Sequence, residues 1–225
     1  PREVIPKPIQ KPHPPLWMAC TQVDTFRLAG ELGLGCLVNT LGGTDKTRSL
    51  IDTYYDAVAD AKPAGHFINR QVVASSIGFC DENDQRARQK GAEVATWYLE
   101  QSKKRFTLEW AGVDPASVPE EYQFYLQGGA RKTVSLDPQQ QEAPTPEQLL
   151  TGGGYCVGDP DACIRVIEDF ETMGVDEIMP IFQAGRATHQ EVMNSIRLFG
   201  KYVIPHFQEK EKRAKGRTRE KATDN

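Results

Sequence analysis

Four short apolar runs, each followed by a stretch of helical period, constrain this chain more than any other feature. They are Leu16–Cys20, Cys36–Asn39, Gln71–Phe79 and Asp176–Phe182. A helix between two strands carries the chain back to its starting end, so successive strands run parallel. Nearly continuous apolar strands belong to a sheet covered on both faces. The length of 225 residues suffices for one domain with a sizeable core. Four βα units make either half of an eight-fold (β/α) barrel, which typically needs roughly 250 residues or more, or a small open α/β sheet. Periodicity leaves both open.

The lead-in bears on that choice. Six prolines (Pro1, Pro6, Pro8, Pro12, Pro14 and Pro15) fall in the first 15 residues, which read as an extended connector. The chain also begins at Pro1 and not at Met. Both features point to a segment of a longer parent and favour the half barrel.

The helices have identifiable limits. Asp24–Leu32 places Phe26, Leu28, Ala29 and Leu32 on one side, and Gly33 and Gly35 end it. Thr44 or Asp45 caps the second helix, whose apolar positions are Leu50, Ile51, Tyr54 and Val58; Lys62-Pro63-Ala64-Gly65 stops it. The third starts at Asp81, Asn83 or Asp84 and runs to about Lys104. Asp159-Pro160 opens the fourth, a polar N-cap followed by Pro at the first helical position. Thr188 or His189 opens the last, which is expected to end before Pro205; from Gln208 to Asn225 the charged tail is expected to fray. Pro180 is awkward in a central strand. Residues 106–154 break the rhythm and read as a mobile insertion, because so long a structureless stretch inside a domain is usually functional.

Composition removes several function classes. A net charge of -4 gives no electrostatic case for nucleic acid or an anionic membrane. No apolar run approaches the roughly 18–20 residues that span a bilayer, and no secretory signal is visible. Five cysteines without a CxxC pair fit free thiols in a reducing, cytoplasmic compartment. His13, His66, His189 and His206 are isolated, so no metal site is expected.

The turn Cys20-Thr21-Gln22 lies between the first strand and its helix, where parallel α/β folds bind ligands. Backbone N–H groups at a helix start attract phosphate, and the Thr21 and Thr25 hydroxyls add donors. The plainer reading is that Thr21, Gln22 and Thr25 cap the helix. Gly185 with Arg186 is a rival phosphate site, since many barrels bind phosphate near the last two strands. Gly152-Gly153-Gly154 reads as a hinge, and Cys20 and Cys36 as core packing.

Three segments resemble the bacterial luciferase-like flavin monooxygenases. They are Val4–Ala19 with Thr25–Gly33, then Val157-Gly158-Asp159-Pro160, then Gly174–Met179 with Phe182-Gln183-Ala184-Gly185. The resemblance implies a (β/α)8 TIM barrel, with residues 1–207 covering about strands 5–8 and the long insertion following strand 7. It implies a flavin-dependent monooxygenase in which reduced FMN and O2 give a C4a-peroxyflavin that oxygenates a small organic substrate. Thr21, Gln22 and Thr25 then hold the flavin phosphate, with Gln22 departing from the family's usual Ser. Ala19, Asn39, Thr40 and Ser75 lie beside the isoalloxazine ring. Phe182 and Gln183 lie near flavin or substrate, and Arg131 and Lys132 sit on a lid. The strongest catalytic residues belong to an N-terminal half absent from this sequence. The resemblance also implies a homo- or heterodimer and a flavin reductase as partner. Two alternatives stand: F420 in place of FMN, and a non-catalytic flavin-binding or partner subunit of the same fold.

Overall fold

The computed structural model describes residues 5–40, 43–109, 114–117 and 150–223. Its elements alternate as the apolar runs require: β1 (Trp17–Cys20), α1 (Val23–Glu31), β2 (Gly35–Asn39), α2 (Thr44–Val58), β3 (Val72–Cys80) and α3 (Asp84–Glu109). After these come β4 (Cys156–Gly158), α4 (Pro160–Thr172), β5 (Glu177–Ile181), α5 (His189–Leu198) and α6 (Ile204–Thr223). The strand order is β1-β2-β3-β4, with β5 also on β3, and the pairs β1–β2, β2–β3 and β3–β4 are all parallel. The chain forms two compact units, 1–76 with 169–179 and 77–168 with 180–225.

In the first unit, α1 packs on β1, β2 and α2. Phe26 and Ala29 of α1 and Ile51 and Tyr54 of α2 are fully buried. Gly30 allows the two helices to cross, because a Cβ there would lie 2.7 Å from Ala57 Cβ and 2.8 Å from the Tyr54 carbonyl oxygen. The Tyr54 hydroxyl lies 3.0 Å from the carbonyl oxygens of both Leu34 and Asn69, and burial pushes its pKa up. At the far edge the Asp176 carboxylate accepts the Val72 N–H at 2.8 Å, and the Asp176 N–H returns a bond to the Val72 carbonyl at 2.9 Å.

In the second unit, Ser195 of α5 is fully buried and stitches that helix to the end of β3. Its hydroxyl donates to the Cys80 carbonyl at 2.8 Å and accepts the Cys80 N–H at 3.1 Å. Asp81 organises the entry to α3, accepting the Asn83 N–H at 2.9 Å and the Arg86 guanidinium. Burial raises the Asp81 pKa, but the Arg86 and Asn83 hydrogen bonds outweigh it and hold the carboxyl below its ordinary value. A depressed folded-state pKa adds stability that is present above the unfolded value, about 3.9, and is lost as pH falls through the folded value. Asp81→Asn is therefore expected to cost about 1 kcal/mol at pH 7, the scale of a lost helix-entry bond. That difference should close in urea melts as pH falls through the lowered native value, where the native carboxyl protonates as well.

Several expectations change. Cys156–Gly158 is a strand that three residues bounded by Gly154 and Asp159 do not announce. Helix α3 reaches Glu109, past the expected end near Lys104. Pro180 is accommodated because β5 pairs only with β3 among the described strands, so its missing N–H interrupts no second ladder. The last helix does not end before Pro205. A π-helical turn, Phe199–Val203, leads without a break into α6, and Pro205 directly follows this wider turn, where the ordinary helical ladder that its missing N–H would break is already interrupted. The tail from Gln208 continues this helix to Thr223. The expectation of a sheet covered on both faces holds for β3, buried except at half-buried Ser75, whereas β1 and β2 expose Ala19 and Asn39. Of the expected insertion 106–154, residues 110–113 and 118–149 lie outside the described residues.

Candidate functional site

Strand registry decides which residues of the first unit share a face. Ala19 is level with Leu37, Leu37 with Val73, and Asn39 with Ser75. Parallel partners point to the same side, and each strand returns to that side every second residue. Ala19, Leu37, Asn39, Val73 and Ser75 therefore form one face. Trp17 belongs to it too and closes its lower end by lying over Gly35, where a Cβ would meet the indole at 2.4 Å. The opposite face holds Cys20, Cys36, Val38, Val72, Ala74 and Ser76, none more than 2% exposed. On the first face Ala19 and Asn39 are exposed and Leu37 and Ser75 partly so. One side of this sheet is thus core apart from half-buried Met18, and the other, though buried at Gly35 and Val73, is accessible at Ala19, Leu37, Asn39 and Ser75, with Asn39 at the carboxyl end of β2.

Thr40 has a structural part instead. It is fully buried, and its hydroxyl donates to the Ser75 carbonyl at 3.1 Å. It ties β2 to β3 where Asn39 and Ser75 stand side by side.

The turn after β1 is built around Thr25. Its hydroxyl accepts the N–H groups of Thr21 and Gln22, both at 3.1 Å, and donates to the Gln22 carbonyl at 2.7 Å. A hydroxyl has one donor and two acceptor sites, so Thr25 is saturated by its own turn. An incoming anion must compete with the Gln22 carbonyl for that single O–H. The first-turn amides of Val23 and Asp24 have no carbonyl one turn earlier within α1 to accept them. Backbone donors at this helix start were expected from the sequence, and the start of α1 at Val23 makes them the amides of Val23 and Asp24. Thr21 is exposed. Asp24 places a carboxylate on the same turn, and Arg27 pairs with it at 2.8 Å.

In the second unit, Phe182 packs edge-on against Phe199, with ring centroids 5.1 Å apart, and its ring covers Gly78. Gln183 is exposed. The rival phosphate residues adjoin a cavity of about 430 Å³ lined by Lys90, Glu93, Trp97, Glu100, Arg186 and Ala187. Lys90 is shared between Glu93 at 3.4 Å and Glu191 at 3.5 Å. Arg131 and Lys132 lie outside the described residues. All five cysteines are free and buried, and a hydrogen bond with Cys20 together with burial pushes the Cys36 thiol well up, as packing residues require. Among the described residues no cluster of three or more metal-binding side chains occurs, and no helix is long and apolar enough to cross a membrane.

The sequence profile of luciferase-like monooxygenases matches residues 2–177. The chain belongs to that family. Solved structures agree with the fold of a luciferase-like barrel protein. Monooxygenase RslO1 from Streptomyces bottropensis is 19% identical, with a TM-score of 0.60 over 90% of this chain and 51% of its own. A coenzyme F420-dependent tetrahydromethanopterin reductase from Methanopyrus kandleri is 19% identical, with a TM-score of 0.52 over 86% and 51%. The oxygenating constituent of 3,6-diketocamphane monooxygenase from Pseudomonas putida, in complex with FMN, is 19% identical, with a TM-score of 0.50 over 83% and 46%. This luciferase-like chain spans about half the length of these structures. No curated protein matches its sequence.

Proposed function

We propose that this chain supplies the C-terminal half of a (β/α)8 flavin-dependent monooxygenase that uses reduced FMN and O2 to oxygenate a small organic substrate. The observation that carries the reading is the accessible sheet face ending in Asn39 and Ser75, beside a helix-start turn with free amide donors. In a closed barrel that face lines the interior, and its upper end and the turn open on the same rim.

The residues present fit such a cofactor. A small side chain at Ala19 leaves room for a flat ring, and Asn39 and Ser75 offer hydrogen bonds to a polar ring edge. The Val23 and Asp24 amides and the Thr21 hydroxyl suit a phosphate, with Arg27 partly offsetting the Asp24 charge. Bound reduced flavin supplies the oxygen-activating chemistry. The chain's own part is to hold the phosphate at the α1 turn, orient the ring on the β1–β2–β3 face and keep water from it. Phe182 and Gln183 border the substrate in this reading, a flavin reductase delivers the reduced cofactor, and the protein works as a homo- or heterodimer. Free buried cysteines support a cytoplasmic setting. F420 is the second reading, supported by the F420-dependent reductase among the structural neighbours.

The test compares two proteins by flavin fluorescence quenching. The isolated 225-residue chain should bind FMN only weakly, because β1 is an open edge and half the pocket wall is missing. Joined to the polypeptide encoded upstream, it should bind at micromolar levels or tighter. Sub-micromolar binding by the isolated chain, or an upstream region without βα units, overturns the half-barrel reading and favours a self-sufficient flavin-binding subunit.

A further inference from the structure

The His13 imidazole ties the proline-rich connector to the loop between α2 and β3. The His13 Nε2 lies 2.8 Å from the backbone nitrogen of His66, in the loop between α2 and β3. An amide N–H can only donate, so this Nε2 carries no proton. The His13 Nδ1 lies 2.8 Å from the Pro14 carbonyl oxygen, which can only accept. The ring is therefore neutral and in the Nδ1–H tautomer.

Its surroundings are shaped for that state. The imidazole stacks on Phe67, with centroids 4.6 Å apart and planes 11° apart. Gly65 leaves it room, since a Cβ there would lie 2.6 Å from Nε2 and 2.7 Å from Cε1. Immediately beyond the latch, the Leu16 carbonyl accepts the Gly35 N–H at 2.9 Å and the Asn69 side-chain amide at 3.1 Å. The connector thus arrives at β1 already fixed in place.

We propose that His13 is a pH-operated latch, closed on the α2–β3 loop while its ring is neutral and released when the ring is protonated. Protonation puts a second N–H where the His66 N–H already points, setting donor against donor. The ionisable groups of the two facing segments offer little compensation. The His66 ring stands 5.6 Å away, Lys62 and Arg70 share its loop, Lys7 and Lys11 flank His13, and among the described residues of these segments Asp60 is the one carboxylate. Arg70 lies over the Tyr55 ring at 5.3 Å. The latch is closed while the His13 Nε2 accepts the His66 N–H and opens once acid puts a proton on that nitrogen. Opening loosens the entry to β1, the strand that carries Ala19 and runs into the Thr21–Thr25 turn.

Amide exchange by NMR on the full chain tests this directly. At pH 8 the nitrogen shifts of His13 should report the Nδ1–H tautomer. Protection of the His66 amide, corrected for intrinsic rates, should fall at least tenfold between pH 8 and pH 5, while that of Phe170 stays unchanged. His13→Phe keeps the stack on Phe67 but has no acceptor, so the His66 amide should be unprotected at both pH values. Gly65→Ala should do the same by expelling the ring. An Nε2–H tautomer, equal His66 protection at pH 8 and pH 5, or wild-type protection in His13→Phe each overturns the latch.

Discussion

Phe26→Ala should destabilise the first unit by about 3–5 kcal/mol, the usual range for a large aromatic removed from a closed core. Phe26 is 0% exposed, and its backbone N–H makes the first helical bond of α1, to the Gln22 carbonyl at 3.1 Å. The side chain is thus the anchor that seats the start of α1 on the sheet. The α1–α2 crossing at Gly30 leaves no slack for neighbouring atoms to collapse into the space, so the cavity penalty should be near its full value. Urea unfolding monitored by circular dichroism measures the loss. A change below about 1 kcal/mol would mean that α1 is held elsewhere. Because the candidate turn begins α1, the same variant should weaken any ligand held there before it unfolds the protein.

The second large effect concerns ligand discrimination. Thr21→Ala combined with Thr25→Ala, made in the protein carrying its upstream polypeptide, should weaken FMN by about tenfold to a hundredfold, the scale of one or two lost hydrogen bonds to a charged group. Riboflavin, which has the same ring and no phosphate, should lose little. The two substitutions act differently. Thr21→Ala removes an exposed hydroxyl, whereas Thr25→Ala also frees the Thr21 and Gln22 amides that its hydroxyl now accepts. Thr25→Ser keeps the hydroxyl that organises the turn, so Thr21→Ala combined with Thr25→Ser should lose only the Thr21 contact. Equal losses for FMN and riboflavin would remove the phosphate role from this turn and turn attention to Arg186.

How far residue patterns reach is visible in individual elements. The four apolar runs and their amphipathic partners appear in the structure as β1, β2, β3 and β5 with helices between, within a residue or two at most limits. These are local properties, set by side-chain period and by caps such as the Thr188–Glu191 box that opens α5. The family was readable for the same reason, since its segments around β1, β4 and β5 are contiguous in sequence. The short strand β4 was not readable, because three residues carry no period and become a strand only by pairing with Gly78–Cys80. The continuation through Pro205 was not readable either, because it depends on a π turn packed by Phe199 and Val203.

The candidate site divides along the same line. The family resemblance, carried on local segments, singled out Thr21, Thr25, Asn39 and Ser75; in the structure Asn39 ends β2, while Ser75 lies inside β3 and Thr25 in the first turn of α1. Registry alone decided that Ala19, Leu37, Asn39 and Ser75 share one accessible face while Thr40 is buried as a tie between strands. Hydrogen bonding within the turn decided that Thr25 is already saturated, and the meeting of His13 with Gly65 and His66, 53 residues away in the chain, decided that a connector histidine is neutral. Such contacts join residues distant in sequence, and which atoms meet is set by packing of the folded chain, which no local pattern encodes.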